Sequence, residues 1–220
     1  FAQGDKLLNF SEEVHYTIGT PMAQMHKITQ NLPLQRATYT PQVLLEDSLA
    51  KLEAFLPPSE ELDFMQATQK VLLQELHNAD SAQIRQGAVH LDIWFDNIAI
   101  TNEGAVTLFD FDFCGNGWQC LDMAYYILQV HSTEKEEAVC KSKMDSFFKG
   151  YESVIPVSAE EKRLIPLLGV CIYYFYLGVQ CSRFDNWSNV FLNELYLKRF
   201  IKVLIKPNYE KYNNTTEIKP

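Results

Sequence analysis

The chain has 220 residues and a mass of 25.4 kDa, with 47% hydrophobic and 21% charged residues. That composition belongs to a globular protein able to bury a core and excludes the disordered and fibrous classes. A net charge of −9 and a pI near 5.0 exclude a nucleic-acid partner, whose phosphates need a concentrated Lys/Arg face, and leave cationic or neutral small molecules easier to accommodate.

Helical periodicity opens the chain. From Ser11, a predicted N-cap, apolar residues recur at Val14, Ile18, Met22, Met25 and Ile28, with Pro21 as an alternative start of the regular helix. Leu45, Leu49, Leu52 and Leu56 mark a second helix that stops at Pro57 and Pro58. Leu62, Met65, Leu72 and Leu76 mark a third.

Between Gly87 and Tyr126 the pattern changes. Ile98 to Thr101 and Ala105 to Phe109 are β-prone runs separated by Asn102, Glu103 and Gly104, which predicts a hairpin. If Asn102 pairs with Ala105, the same register sets Asn97 opposite Asp110 at the open end. Their side chains could then share a hard cation such as Mg2+, which prefers oxygen ligands and keeps waters and substrate phosphates in its other positions. Asp92, in the string His90-Leu91-Asp92, stands five residues before Asn97 in the loop entering the hairpin.

Beyond that segment, Thr133 with Glu136 and Ser158 with Glu161 have capping-box spacing at the starts of two further helices. The longest apolar run, Ile165 to Val179, includes Pro166 and Gly169 and falls short of the roughly 20 residues that span a bilayer. It reads as a buried core helix, with no membrane partner. A last helix is expected over 189–205, and the polar tail 206–220 is expected to be frayed or flexible. The five cysteines include no CxxC pair, so neither a disulfide framework nor a zinc site is suggested and a reducing cytosol fits.

The spacing His-x-Asp-x-x-x-x-Asn, a hairpin and then Asp-Phe is the catalytic-loop and metal-loop arrangement of kinases. The strings HLDIWFDN, LFDFDF and LDMA resemble those of the aminoglycoside phosphotransferase and choline kinase family, of protein-kinase-like fold. Met22-Ala23-Gln24-Met25-His26 is similar to the helix that begins the larger lobe of that family.

The resemblance implies a mainly α (α+β) fold, the kinase-like C-terminal lobe, over 1–205, with ATP as phosphate donor, Mg2+, and a hydroxyl of a small molecule as acceptor. Asp92 would orient the acceptor hydroxyl and take its proton. Asn97 and Asp110 would hold Mg2+ against the nucleotide phosphates, with Asp112 a further candidate for a second metal. His90 and Asp122 would support the loop. Leu91 replaces the usual glycine of the family, and Trp94 and Phe95 make the loop more apolar.

No glycine-rich strand-turn-strand and no Lys on a following strand precede the helices, and the chain opens on Phe1. It is therefore expected to begin near the hinge, without the lobe that covers ATP. The acceptor pocket is expected between the catalytic loop and the later helices, near Tyr173 to Tyr176 and Asp185. Two alternatives stand beside the kinase: a non-catalytic, pseudokinase-like binding module, and a haloacid-dehalogenase-type phosphohydrolase with Asp110 as nucleophile. The second needs a parallel α/β sheet around that aspartate.

Overall fold

A computed structural model describes residues 4–6 and 10–216, with side chains through Tyr212. They divide into two compact units, one of 1–38 with 81–165 and the other of 39–80 with 166–220.

The first unit is built on α1 (Glu12–Thr29), α4 (Cys120–Thr133) and α5 (Glu137–Glu152), with four short strands: β1 (Gln86–Val89), β2 (Ile98–Ile100), β3 (Val106–Leu108) and β4 (Gly115–Trp118). Ser11 caps α1 by accepting from the Val14 amide. The helix runs unbroken through Pro21, because Ile18, Met22 and Ala23 on either side are fully buried and offset the lost hydrogen bond. Ile28, expected on the buried face, is 73% exposed. Two glycines bring α1 and α5 into backbone contact: a Cβ on Gly19 would lie 2.4 Å from the Phe147 carbonyl carbon's oxygen, and one on Gly150 1.9 Å from Tyr16 O.

Both sheets are two-stranded and antiparallel, β1 with β4 and β2 with β3. The parallel sheet that the phosphohydrolase alternative requires is not found among the described residues. The hairpin forms where expected, but its register is one residue from the expected one: Ile98 pairs with Leu108 and Ile100 with Val106. The cause is the turn. Gly104 adopts φ 83 and donates to Thr101 O, so Asn102, Glu103 and Gly104 form a three-residue loop between Thr101 and Ala105. Asn97 therefore faces Phe109, whose amide donates to Asn97 O at 3.2 Å, and Asp110 lies one residue beyond.

The capping expectation divides. Ser158 and Glu161 bond reciprocally at the start of α6 (Ala159–Ser182). Glu161 also receives the Arg85 side chain in a two-pronged pair at 2.9 and 2.7 Å. Thr133 does not cap α5. Its hydroxyl turns back to the Gln129 and Val130 carbonyls at the end of α4, and Glu136 takes the cap position without a side-chain bond.

The second unit contains α2 (Asp47–Glu53), α3 (Glu60–His77), most of α6, α7 (Glu194–Phe200) and α8 (Lys206–Thr216). Ser59 caps α3, and the leucines of both predicted repeats are buried. At 24 residues α6 is longer than its apolar run, and by length and composition it could cross a membrane. Its burial decides the reading: Leu167, Val170, Cys171 and Leu177 have no exposed surface, as in a core helix. Gly178 sits against Ser48, and Tyr174 OH donates to Met65 O at 2.8 Å.

The last predicted helix starts later and ends later than expected. Asn193 caps α7 at Tyr196 N, and a π-helical turn, Ile201–Ile205, leads directly into α8. The tail is thus helical through Thr216 rather than frayed, because Tyr209 packs edge-on against Phe64 and Tyr212 is buried. The expectation for 217–220 lies outside the described residues.

Candidate active site

The site is assembled where β1 ends and the hairpin begins. After Val89 the chain bends sharply at Leu91, which takes φ 58, a left-handed conformation that costs a non-glycine residue about 1–2 kcal/mol. Two features hold it. The Leu91 side chain is completely buried. The Asp122 carboxylate, in the first turn of α4, accepts from the His90 and Leu91 amides, each at 2.7 Å.

Asp122 is buried, and its Oδ2 also lies 3.0 Å from Nε2 of His26 of α1. His26 Nδ1 in turn lies 2.7 Å from the hydroxyl of Tyr151 in α5. Asp122 thus sits inside the helix rather than capping it, and binds the entry of the loop to two other helices.

His90 connects the loop to the hairpin. Its Nδ1 accepts from the Asp92 amide at 3.3 Å, so its Nε2 carries the proton and donates to Phe109 O at 3.0 Å. Its ring lies 4.5 Å from that of Phe111.

Asp92 and Asn97 meet directly. Asn97 Nδ2 donates to both the Asp92 carbonyl and Asp92 Oδ2, at 2.9 Å each. Because both partners are acceptors, the amide orientation is fixed, and the oxygen Oδ1 is the atom with which Asn97 could ligate a cation. Tyr125 OH donates to Asp92 Oδ1 at 2.9 Å. Together these bonds aim the Asp92 carboxylate.

Asp110 is exposed and takes φ 64, a conformation that aspartate tolerates better than most residues. Asp112 is exposed in the turn that follows, and its carbonyl accepts from Arg36 at 3.3 Å. Among the described residues no three His, Cys, Asp or Glu side chains group closely enough to hold a metal. The oxygen chemistry of Asn97 and Asp110 fits a hard cation that completes its shell with water and phosphate oxygens.

Sequence reasoning missed Tyr125, His26, Tyr151 and Arg36. For Tyr125 a signal existed: it follows Asp122 by three positions, on the same helix face. The other three reach the site through contacts distant in sequence, which leave no local pattern.

A mainly helical fold with this loop and hairpin defines a class, the protein-kinase-like phosphotransferases. Residues 6–154 match the family described as "Phosphotransferase enzyme family", and the chain belongs to it. It is similar to the amicoumacin kinase of Bacillus subtilis (strain 168), 28% identical over 148 residues, covering 65% of this chain and 43% of that protein. It is also similar to the homoserine kinase of Bradyrhizobium sp. (strain BTAi1), 25% identical over 179 residues, covering 79% and 51%. A solved amicoumacin kinase in complex with AMP-PNP, Ca2+ and Ami shares the fold, with a TM-score of 0.70 and 21% identity over 98% of this chain and 64% of that one. The chain spans about half the length of the curated relatives it matches.

Proposed function

We propose that this chain is the catalytic and substrate-binding lobe of an ATP- and Mg2+-dependent phosphotransferase acting on a hydroxyl of a small molecule. An aminoglycoside, choline, homoserine or a sugar is the acceptor class in view. The observation that carries the reading is the pair of hydrogen bonds that Asn97 Nδ2 donates to Asp92, which ties the proposed base to the proposed metal ligand. Such coupling suits phosphoryl transfer, where catalysis is mainly positioning and charge neutralisation.

In this reading Asp92, held by Tyr125 and Asn97, orients the acceptor hydroxyl and accepts its proton. Asn97 Oδ1 and the Asp110 carboxylate would hold Mg2+, which supplies positive charge to the nucleotide phosphates. His90 fixes the distance between loop and hairpin, Asp122 holds the loop entry, and Asp112 is available to a second cation. The acidic composition supports a small-molecule partner over nucleic acid, and cysteine usage supports a cytoplasmic setting.

The test is ADP formation by the full-length protein with ATP, Mg2+ and a panel of aminoglycosides, choline, homoserine and sugars. Turnover that depends on one acceptor is the expected result. Tight ATP binding with no turnover on any acceptor would instead favour the non-catalytic binding module.

A further inference from the structure

The turn that follows Asp110 has an unusual sequence for its shape. Phe111, Asp112, Phe113 and Cys114 contain neither glycine nor proline to preset a turn, yet the Cys114 amide closes it onto Phe111 O at 3.0 Å. Side chains from outside the turn meet it: the His90 ring packs on Phe111, and Arg36 binds the carbonyls of the turn. Arg36 Nη1 donates to Phe111 O at 2.7 Å and lies 3.3 Å from both Asp112 O and Cys114 O.

The segment carrying Arg36 is itself anchored. Asn116 Oδ1 accepts from Leu34 N at 2.7 Å, and its Nδ2 donates to Leu34 O at 3.1 Å and Arg36 O at 3.2 Å. The Asn116 amide donates to Ala37 O at 2.8 Å. Arg36 is therefore presented to the turn from a fixed backbone. On its other side, Asp110 is fixed through Phe109, bonded to Asn97 O and to His90 Nε2. The left-handed backbone of Asp110 is held from both ends, and Arg36 supplies the hydrogen bonds from a side chain to the carbonyls on the downstream end.

We propose that Arg36 is a positioning residue that sets the Asp110 carboxylate for divalent-cation binding by gathering the carbonyls of the turn after it. The inference rests on the reading of Asp110 as a metal ligand. Residues that orient a ligand typically matter by about 10-fold to 100-fold in metal affinity. The sign of the effect separates positioning from simple charge. Arg36 is a cation near a proposed cation site, so an electrostatic role alone would make its removal tighten metal binding. Positioning makes its removal weaken it.

The experiment titrates Mn2+ into the full-length protein with AMP-PNP, reading bound Mn2+ by electron paramagnetic resonance, for the unmutated protein and Arg36→Ala, Arg36→Lys, Asp110→Ala and the Arg36→Ala/Asp110→Ala pair. Arg36→Ala is expected to weaken Mn2+ about 10-fold, with the acceptor KM unchanged, and Arg36→Lys to fall between. Adding Arg36→Ala to Asp110→Ala is expected to weaken Mn2+ no further. If Asp110→Ala weakens Mn2+ while both Arg36 variants bind as tightly as the unmutated protein or tighter, the inference is overturned and the metal reading stands. An Arg36 effect that persists undiminished without Asp110 also overturns it. If Asp110→Ala leaves Mn2+ binding unchanged, the metal reading itself fails and the inference with it. Should Arg36→Ala not fold, Arg36→Lys, which keeps charge and bulk, decides on the same criteria.

Discussion

The loop 90–97 and the turn 110–114 stand on either side of one hairpin, and they are held in opposite ways. The loop is fastened from inside: Asp122, His26 and the Leu91 side chain have no exposed surface. The turn is fastened from outside, with Phe111 and Asp112 exposed and Arg36 gripping carbonyls at the surface. Both contain a non-glycine residue in the left-handed region, Leu91 and Asp110. The difference teaches where strain can be carried: a buried anchor links the geometry of a loop to the stability of the fold, whereas a surface anchor leaves the two separable.

The contrast breaks most visibly at the buried anchor. Asp122→Ala would leave the His90 and Leu91 amides and His26 buried without their acceptor, at a cost of about 3–5 kcal/mol. Urea unfolding checks it, and a loss below about 1 kcal/mol would mean that the loop does not depend on this carboxylate. At the surface site, Asp110→Ala is expected to lower kcat of the full-length protein by about 10²–10³-fold and to weaken Mg2+, with a loss of stability of about 1 kcal/mol from alanine at φ 64, well below that of Asp122→Ala. A large fall in stability would erase the distinction between the two regions.

Leu91→Gly sharpens the comparison inside the loop. Glycine relieves the strain at φ 58 but gives up a fully buried leucine, whose loss outweighs the relief, so a net destabilisation of about 1–3 kcal/mol is expected. A more stable variant would show that strain, not packing, dominates there.

The remaining effect concerns acid. Burial of His15, aided by nearby Lys143, lowers its pKa to about 4, and its Nδ1 lies 2.8 Å from Tyr126 OH. The unfolded chain therefore binds this proton more readily than the folded one. The His15 contribution is fully present above about pH 6.5 and is lost as pH falls toward 4. Denaturant midpoints across that range should fall less steeply for His15→Gln than for the unmutated protein. Equal slopes would place the acid sensitivity elsewhere.

What could be read from sequence follows the range of the interactions. The leucines of α2 and α3 and the Ser158–Glu161 box act within a few residues, and the local pattern suffices to find them. Asp92, Asn97 and Asp110 stood out because their spacing spans one loop and one hairpin. The register slipped because Gly104 could join either a two-residue or a three-residue turn, and only its backbone angle distinguishes them. Thr133 had the spacing of a cap, but the carbonyls of α4 were within its reach first. His26, Tyr151 and Arg36 meet their partners across 75 or more residues, a separation over which no periodicity carries.

The measurement that tests the proposed division of labour most directly is the kinetics of the Asp92→Asn full-length protein with its acceptor. The substitution keeps the size of the side chain, an oxygen to accept from Tyr125 and the bond from Asn97 to the residue-92 carbonyl, but it loses the acceptor at Oδ2 and removes the base. The expected result is a fall in kcat of about 10²-fold or more, with ATP affinity nearly unchanged. Phosphorylation of the acceptor at the unmutated rate would contradict the assignment of Asp92 as the catalytic base.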